Sequence, residues 1–224
     1  MRTNRKPAET GRAAQLTHPE PMRPESGKRR DILDGARRVF FDKGFDGASM
    51  DEVARSAGVS KATIYVYFSS KEDLFEALVH NDRAQAAEHL FEVDPQMDDI
   101  AALLRRIGIS FMTMMVEPDH VRLVRMVIGI AEKFPLIGRS FFESGPCLGG
   151  QRLADLLRQQ ADRGRLTLPD AEAAAHLFLN MCHGKLVKGV MFSASTAPSL
   201  AEIEASADEA VRVFLAGYGT ASRT

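Results

Sequence analysis

The chain has 224 residues, 45% hydrophobic and 26% charged, with a formal net charge of −1; this is too apolar for wholesale disorder and enough for a sizeable core in one or two domains. Two cysteines, Cys147 and Cys182, without a CxxC pair argue against a disulfide framework or a zinc ribbon and fit a reducing cytoplasm. No run approaches the ~20 apolar residues of a membrane span, and the basic start MRTNRKPAETGRAAQ lacks the apolar stretch of a secretion signal, so the chain is expected to stay in the cytoplasm.

The small net charge conceals an asymmetry. Residues 1–71 hold fourteen Lys and Arg against nine acids, a balance of +5, which leaves −6 for the other 153 residues. A basic front on an acidic body suits a polyanion-binding head, although a chance fluctuation of this size is equally ordinary. Residues 1–27, with four prolines and almost no large apolar side chain, read as a flexible basic arm, either a phosphate-touching segment or a leader without a role.

The rest is expected to be all-α, because alternating β-branched runs are missing and the helical period recurs. Over 28–43, Ile32, Leu33, Ala36, Val39 and Phe40 form one stripe. Gly44 then stands where a left-handed cap is wanted, with Phe45 folding back.

The most informative stretch is GFDGASMDEVARSAGVSKATIYVYFSSKEDLF, residues 44–75. Ser49 and Glu52 make a capping box, and Ser60 with Thr63 and Ser70 with Asp73 repeat the start signal. Ala57-Gly58-Val59 supplies a tight turn, because glycine takes positive φ without a steric penalty. The result is a predicted helix-turn-helix, with helices over about 50–57 and 61–68.

If Ile64 and Phe68 point inward, Lys61, Ala62, Thr63, Tyr65 and Tyr67 lie outward or at the margins. A cation, a methyl, hydroxyls and phenols on a short helix suit a major groove and its phosphates. The competing reading is a generic three-helix domain whose tyrosines cover the core. Two tyrosines two residues apart on one helix cannot, however, both be fully buried.

Residues 28–75 resemble the DNA-binding domain of the TetR family of transcriptional regulators. The resemblance is carried by Ile32-Leu33, Ala36, Phe40, Gly44-Phe45, Ser49, Val53-Ala54, Ala57-Gly58-Val59-Ser60, Thr63-Ile64-Tyr65, Tyr67-Phe68, Lys71 and Leu74-Phe75. Val66 departs from it, since many relatives carry an aromatic residue or histidine there. The resemblance implies a homodimer offering two recognition helices to a palindromic operator on double-stranded DNA, about 34–36 Å apart or a little more. It also implies phosphate or base contacts for Ser49, Ser60, Lys61, Ala62, Thr63, Tyr65, Tyr67 and Lys71.

Residues 76–224 resemble the body of some family members, chiefly through HVRLVRMVIGIAEKFPLIGRSFFESGP at 120–146. This implies a helical bundle that encloses a small effector and forms the dimer. The sequence predicts helices over 98–116, over 120–134 (apolar on nearly all sides and so central and buried), over about 136–163 with a break near Gly145-Pro146 or Gly149-Gly150, and near 170–192 and 200–217. Pro135 ends one helix or starts the next.

Methionines and phenylalanines crowd this body, either as plain core or as the adaptable wall of an apolar pocket. The pocket candidates are Phe111, Met115, Met126, Ile130, Phe141, Phe178 and Met181. Leu177, Leu179, Leu186, Val187, Val190, Val211, Phe214 and Leu215 supply apolar faces for a four-helix dimer interface or, alternatively, for the subunit's own core.

His176 and His183 share a helical face but stand two turns apart, and Cys182 points elsewhere, so no metal site is predicted. Cys147 is either a redox-sensing thiol or an inert buried one. No phosphate loop and no GxSxG is present, so neither enzymatic activity nor a cofactor is expected. The function indicated is a ligand-responsive repressor. The alternatives are an activator or global regulator with the same head, an enzyme with a regulatory head, or a helical protein-interaction module without a specific operator.

Overall fold

The computed structural model describes residues 25–90 and 99–220. The expected basic arm, apart from its last three residues, lies outside the described residues. Those three, with the rest of the first stripe, form α1 (Glu25–Gly47). Then follow α2 (Met50–Ala57), α3 (Lys61–Tyr67), α4 (Lys71–Leu90), α5 (Ile100–Val116), α6 (Pro118–Ile130), α7 (Pro135–Phe142), a π-helical turn (Glu143–Cys147), α8 (Leu148–Asp162), α9 (Ala171–Met191) and α10 (Leu200–Tyr218). The fold is all-α, and the described residues add only one isolated bridge, between Leu166 and Gly219.

Helix ends sit where local chemistry places them. Ser49 accepts from the Glu52 N–H while the Glu52 carboxylate accepts from the Ser49 N–H, the reciprocal box read from sequence. Gly58 closes α2 at φ 67°, ψ 31°, Ser60 caps α3, and Asp99 and Asp170 cap α5 and α9. Gly44 takes φ 73° but ψ 173°, so it bends α1 rather than closing a left-handed cap. The bend turns Phe45 into the interior, where it is 4% exposed.

Two hydrophobic cores form. One gathers Ile32, Phe40, Phe45, Val53, Ile64, Phe68, Phe75 and Leu78 from the first four helices, together with Leu123, Val127 and Ile130 of α6 and Ile137 of α7. The other gathers Leu103, Leu104 and Ile107 of α5, Leu153 and Leu157 of α8, Phe178 and Val187 of α9, and Val211 and Phe214 of α10. The first core is thus built jointly by 32–79 and by helices far down the chain. Arg122 adds a polar tie, donating to the Phe41 carbonyl at 3.0 Å.

In the middle of the chain one expectation is corrected and the other is met at the first of its two places. The 120–134 segment is not a fully buried helix, because α6 stops at Ile130 and leaves Ile128 70% exposed. Its all-round apolarity serves one packed face and one face toward a cavity. The break in 136–163 comes as the π turn around Pro146, where the Leu148 N–H reaches back five residues to the Glu143 carbonyl. Proline has no N–H to keep the α register, and the wider turn absorbs that loss. Gly149 and Gly150 lie inside α8 instead, where a Cβ on Gly150 would stand 2.5 Å from the His176 ring.

Gly35 marks the closest approach of α1 to α2. A Cβ there would lie 2.7 Å from the Ala57 Cβ and 2.8 Å from its Cα and N. Gly35→Ala gains about 1 kcal/mol of helix propensity, but overpacking against backbone costs roughly 1–3 kcal/mol. The clash outweighs the gain, so the denaturant midpoint is expected to fall. A midpoint at or above that of the parent would mean the two helices can slide apart freely.

Candidate nucleic-acid interface and effector cavity

The turn at Gly58 sets α3 against α1 and α2 through Ile64, which is fully buried, and Phe68, which is 2% exposed. With those anchors fixed, the helical period forces Lys61, Ala62, Tyr65 and Val66 outward. All four are exposed, Val66 at 79%. Thr63 is half-buried, its hydroxyl 2.8 Å from that of Ser60. Tyr67 is half-buried and packs on the core. The outward face therefore combines small, apolar and phenolic groups with one cation. Lys61 donates to Asp51 at 3.0 Å, an exposed pair that a phosphate could replace at little cost.

Lys71 differs from its expected role. Its ammonium donates to the carbonyls of Phe45 at 2.8 Å, Ala48 at 3.1 Å and Asp46 at 3.4 Å, and sits 4.6 Å from the Phe45 ring centroid. Its donors are spent on closing the end of α1, so it positions the turn before α2 rather than standing free as a phosphate anchor. Lys71→Ala is expected to lower stability by about 2 kcal/mol, the scale of charge-assisted hydrogen bonds. The salt slope of DNA binding should stay unchanged. A slope lowered by about 0.9 would return this lysine to the phosphate contacts.

A second feature lies where elements of the two cores meet. A cavity of about 640 Å³ is walled by α4, α5, α6, the end of α7, the π turn, the start of α8 and α9, within the size range of small-molecule sites. Of the pocket candidates, Phe111, Met115 and Phe141 line it. Met126 instead faces a more open groove bounded by Val121 and Val190. Ile130 and Phe178 are packed into the two cores, and Met181 lies against the second. These four do not line this cavity. Each sits on a helix that reaches the cavity, but turned one or two positions away from it.

Sequence reading missed the cavity's polar residues, Arg83, His120, Arg125, His176, Asn180, His183 and Lys188. A signal existed for Arg83. It continues the face of Phe75, Leu78 and Val79, where an apolar residue is expected, and it is 5% exposed. Arg83 donates to His120 Nδ1 at 2.6 Å. Burial first, then the charge of Arg83, pushes His120 down to about 3, so its ring is neutral near pH 7.

A polar chain runs from this point to α1. Asp82, next to Arg83, accepts from Arg37, and Arg37 also donates to Asp119 at 3.1 Å. Helix α4 thus holds the interface through Lys71 and the cavity through Arg83, twelve residues or about 18 Å further along.

Other candidates are settled by burial. Cys182 is buried, and desolvation pushes its thiol up to about 12, so it stays protonated and unreactive. Cys147 is half-buried in the π turn. Among the described residues no cluster of three or more His, Cys, Asp or Glu could hold a metal ion, and no helix is long and apolar enough to cross a membrane. Val187, Val211 and Phe214 close the subunit's own core, whereas Leu177 stays 46% exposed and Leu179, Leu186, Val190 and Leu215 half-buried.

Comparison with known proteins places both halves. Residues 32–78 match the family of bacterial regulatory proteins, tetR family, and residues 102–220 match the AefR-like transcriptional repressor, C-terminal domain. The chain is 42% identical over 67 residues to the HTH-type transcriptional repressor AcnR of Corynebacterium diphtheriae, which covers 30% of this chain and 35% of that protein. It spans about a third of the length of the AcnR relatives it matches. An HTH-type transcriptional repressor of Mycobacterium tuberculosis is 30% identical over 69% of this chain and 78% of its own length. A TetR-family regulator from Mesorhizobium loti superposes with a TM-score of 0.84 and 30% identity, covering 87% of this chain and 98% of its own.

Proposed function

Because the chain belongs to the TetR family of bacterial regulatory proteins, we propose that it is a homodimeric, sequence-specific DNA-binding repressor released from a palindromic operator by a small, largely apolar effector. In this reading residues 28–75 are the DNA-binding head and 76–224 the ligand-binding and dimerising body. The work is done in the cytoplasm, on the nucleoid, without catalysis. The observation that carries the reading is the outward face of α3, with Lys61, Ala62, Tyr65 and Val66 exposed on a helix whose opposite side is locked by Ile64 and Phe68. Ser49 and Ser60, at the starts of α2 and α3, together with Thr63 and Tyr67 supply further hydroxyls that can donate to phosphate oxygens.

Exposed Leu177 on α9 and Val213 on α10 favour pairing of two copies through the last long helices. Two heads on a twofold axis would then meet successive major grooves. An effector in the cavity releases DNA only by binding better to the state whose heads are misplaced, and a coupling of about 1–3 kcal/mol is typical. Helix α4 is the natural carrier, since it touches both sites.

The test is selection of bound fragments from a random duplex pool by the purified full chain, followed by mapping of the enriched sequence on promoters. A palindrome overlapping the polymerase site is expected. Uniform retention of all sequences would overturn the reading, and enrichment upstream of the polymerase site would turn the repressor into an activator.

A further inference from the structure

The cavity walls are largely apolar, and the polar side chains among them restrict the occupant. Phe111, Met114, Met115 and Phe141 form the apolar part. The charged groups on the wall are all cationic, Arg83, Arg125 and Lys188, with no Asp or Glu among the lining residues. Arg125 is engaged elsewhere, donating to the carbonyls of Val190 and Met191 and to the Ser193 hydroxyl.

Two donors on these lining residues have no partner. Arg83 Nε and His120 Nε2 are both buried without a hydrogen bond, with almost no accessible surface of their own and on side chains about 95% removed from solvent, so an acceptor in the cavity meets them only once the guanidinium and the ring turn toward it. Because Arg83 donates to His120 Nδ1, that nitrogen is the acceptor, and the proton of the neutral ring sits on Nε2. Both orphans are therefore N–H donors, and a buried donor without an acceptor is costly. The Arg83 guanidinium also lies 5.5 Å from the Phe141 ring centroid, so this donor borders the aromatic part of the wall.

The geometry points to an apolar organic anion, a carboxylate or phenolate on an aromatic or aliphatic body, as the occupant of this cavity, with its oxygen directed to Arg83 and His120. This rests on the reading of the cavity as the effector site. Alcohols of the same shape supply a weaker acceptor, and amines supply a cation facing Arg83 and Lys188. The acid-free wall thus selects against positive charge while the apolar wall selects for the body. Asp82, Asp119 and Glu117 stand near Arg83 and Arg37 and offset their charge, so discrimination comes from hydrogen bonding at the two donors more than from net charge.

The test is calorimetric titration of the full chain, without DNA, with biphenyl-4-carboxylate, biphenyl-4-methanol and biphenyl-4-methylamine. The carboxylate is expected to bind about tenfold or more tightly than the alcohol, as charge-assisted hydrogen bonds imply, with the amine weakest. In His120→Phe and Arg83→Met the gap between carboxylate and alcohol should close while the alcohol still binds. Equal binding of all three by the parent protein, or no binding of any, overturns the inference, and neither result needs a variant to fold. A carboxylate preference without release of a selected DNA fragment supports the anion site and overturns its role as the effector site. Failure of DNA binding alone leaves the titration standing.

Discussion

Phe75→Ala is expected to remove about 3–5 kcal/mol of stability, the range for deleting a large ring from a core that cannot collapse. Phe75 is fully buried, with ring centroids 4.8 Å from Phe40 and 5.1 Å from Phe45. Phe45 in turn meets Phe134, just before α7, at 5.5 Å. Phe75 thus anchors a cluster of rings that links α1 to α4 and, through Phe45, to Phe134, 59 residues further along the chain than Phe75. Its loss leaves a hole bounded by elements fixed by other contacts, such as Arg122 on the Phe41 carbonyl. The melting midpoint should drop by roughly 6–20 °C at this chain length. A loss under about 1 kcal/mol in denaturant titration would show that the aromatic cluster closes over the gap.

Ala62→Asp is expected to separate folding from DNA binding. Ala62 is exposed in the first turn of α3, two residues after its cap Ser60. A carboxylate there interacts favourably with the helix N-terminus, so the unfolding midpoint should hold or rise slightly. On the outward face, however, it opposes the phosphate backbone, whose charge dominates affinity. Binding to a selected duplex should weaken by about tenfold or more. Unaltered binding with an unaltered midpoint would take α3 off the DNA, and with it the proposed function. A lowered midpoint would show instead that the position is packed.

The same division runs through what the sequence disclosed. The box at Ser49 and Glu52, the turn at Gly58 and the caps at Ser60 and Ser70 were legible because each is satisfied within three or four residues. Burial of Ile64 and Phe68 followed from the helical period. The surroundings of Lys71 were not legible because nothing near it in sequence reveals that the carbonyls of Phe45, Asp46 and Ala48 converge on its ammonium. That Met126 and Phe178 face away from the cavity was not legible for a related reason. A stripe of methionine and phenylalanine marks a helix as apolar, but not which side meets packing and which meets empty space.

The order of residues alone thus determined an all-α chain, a helix-turn-helix and its outward face, since helix capping and periodicity act over one or two turns. Which side chains line the cavity, that Arg83 and His120 stand unsatisfied among them, and that α1 is tied to α4 and α6 through Arg37, Asp82 and Asp119 were decided by tertiary packing. These features arise between groups 37 to 82 residues apart. Their energy depends on the distance and burial created when the helices close on one another, and neither quantity exists before the chain has folded.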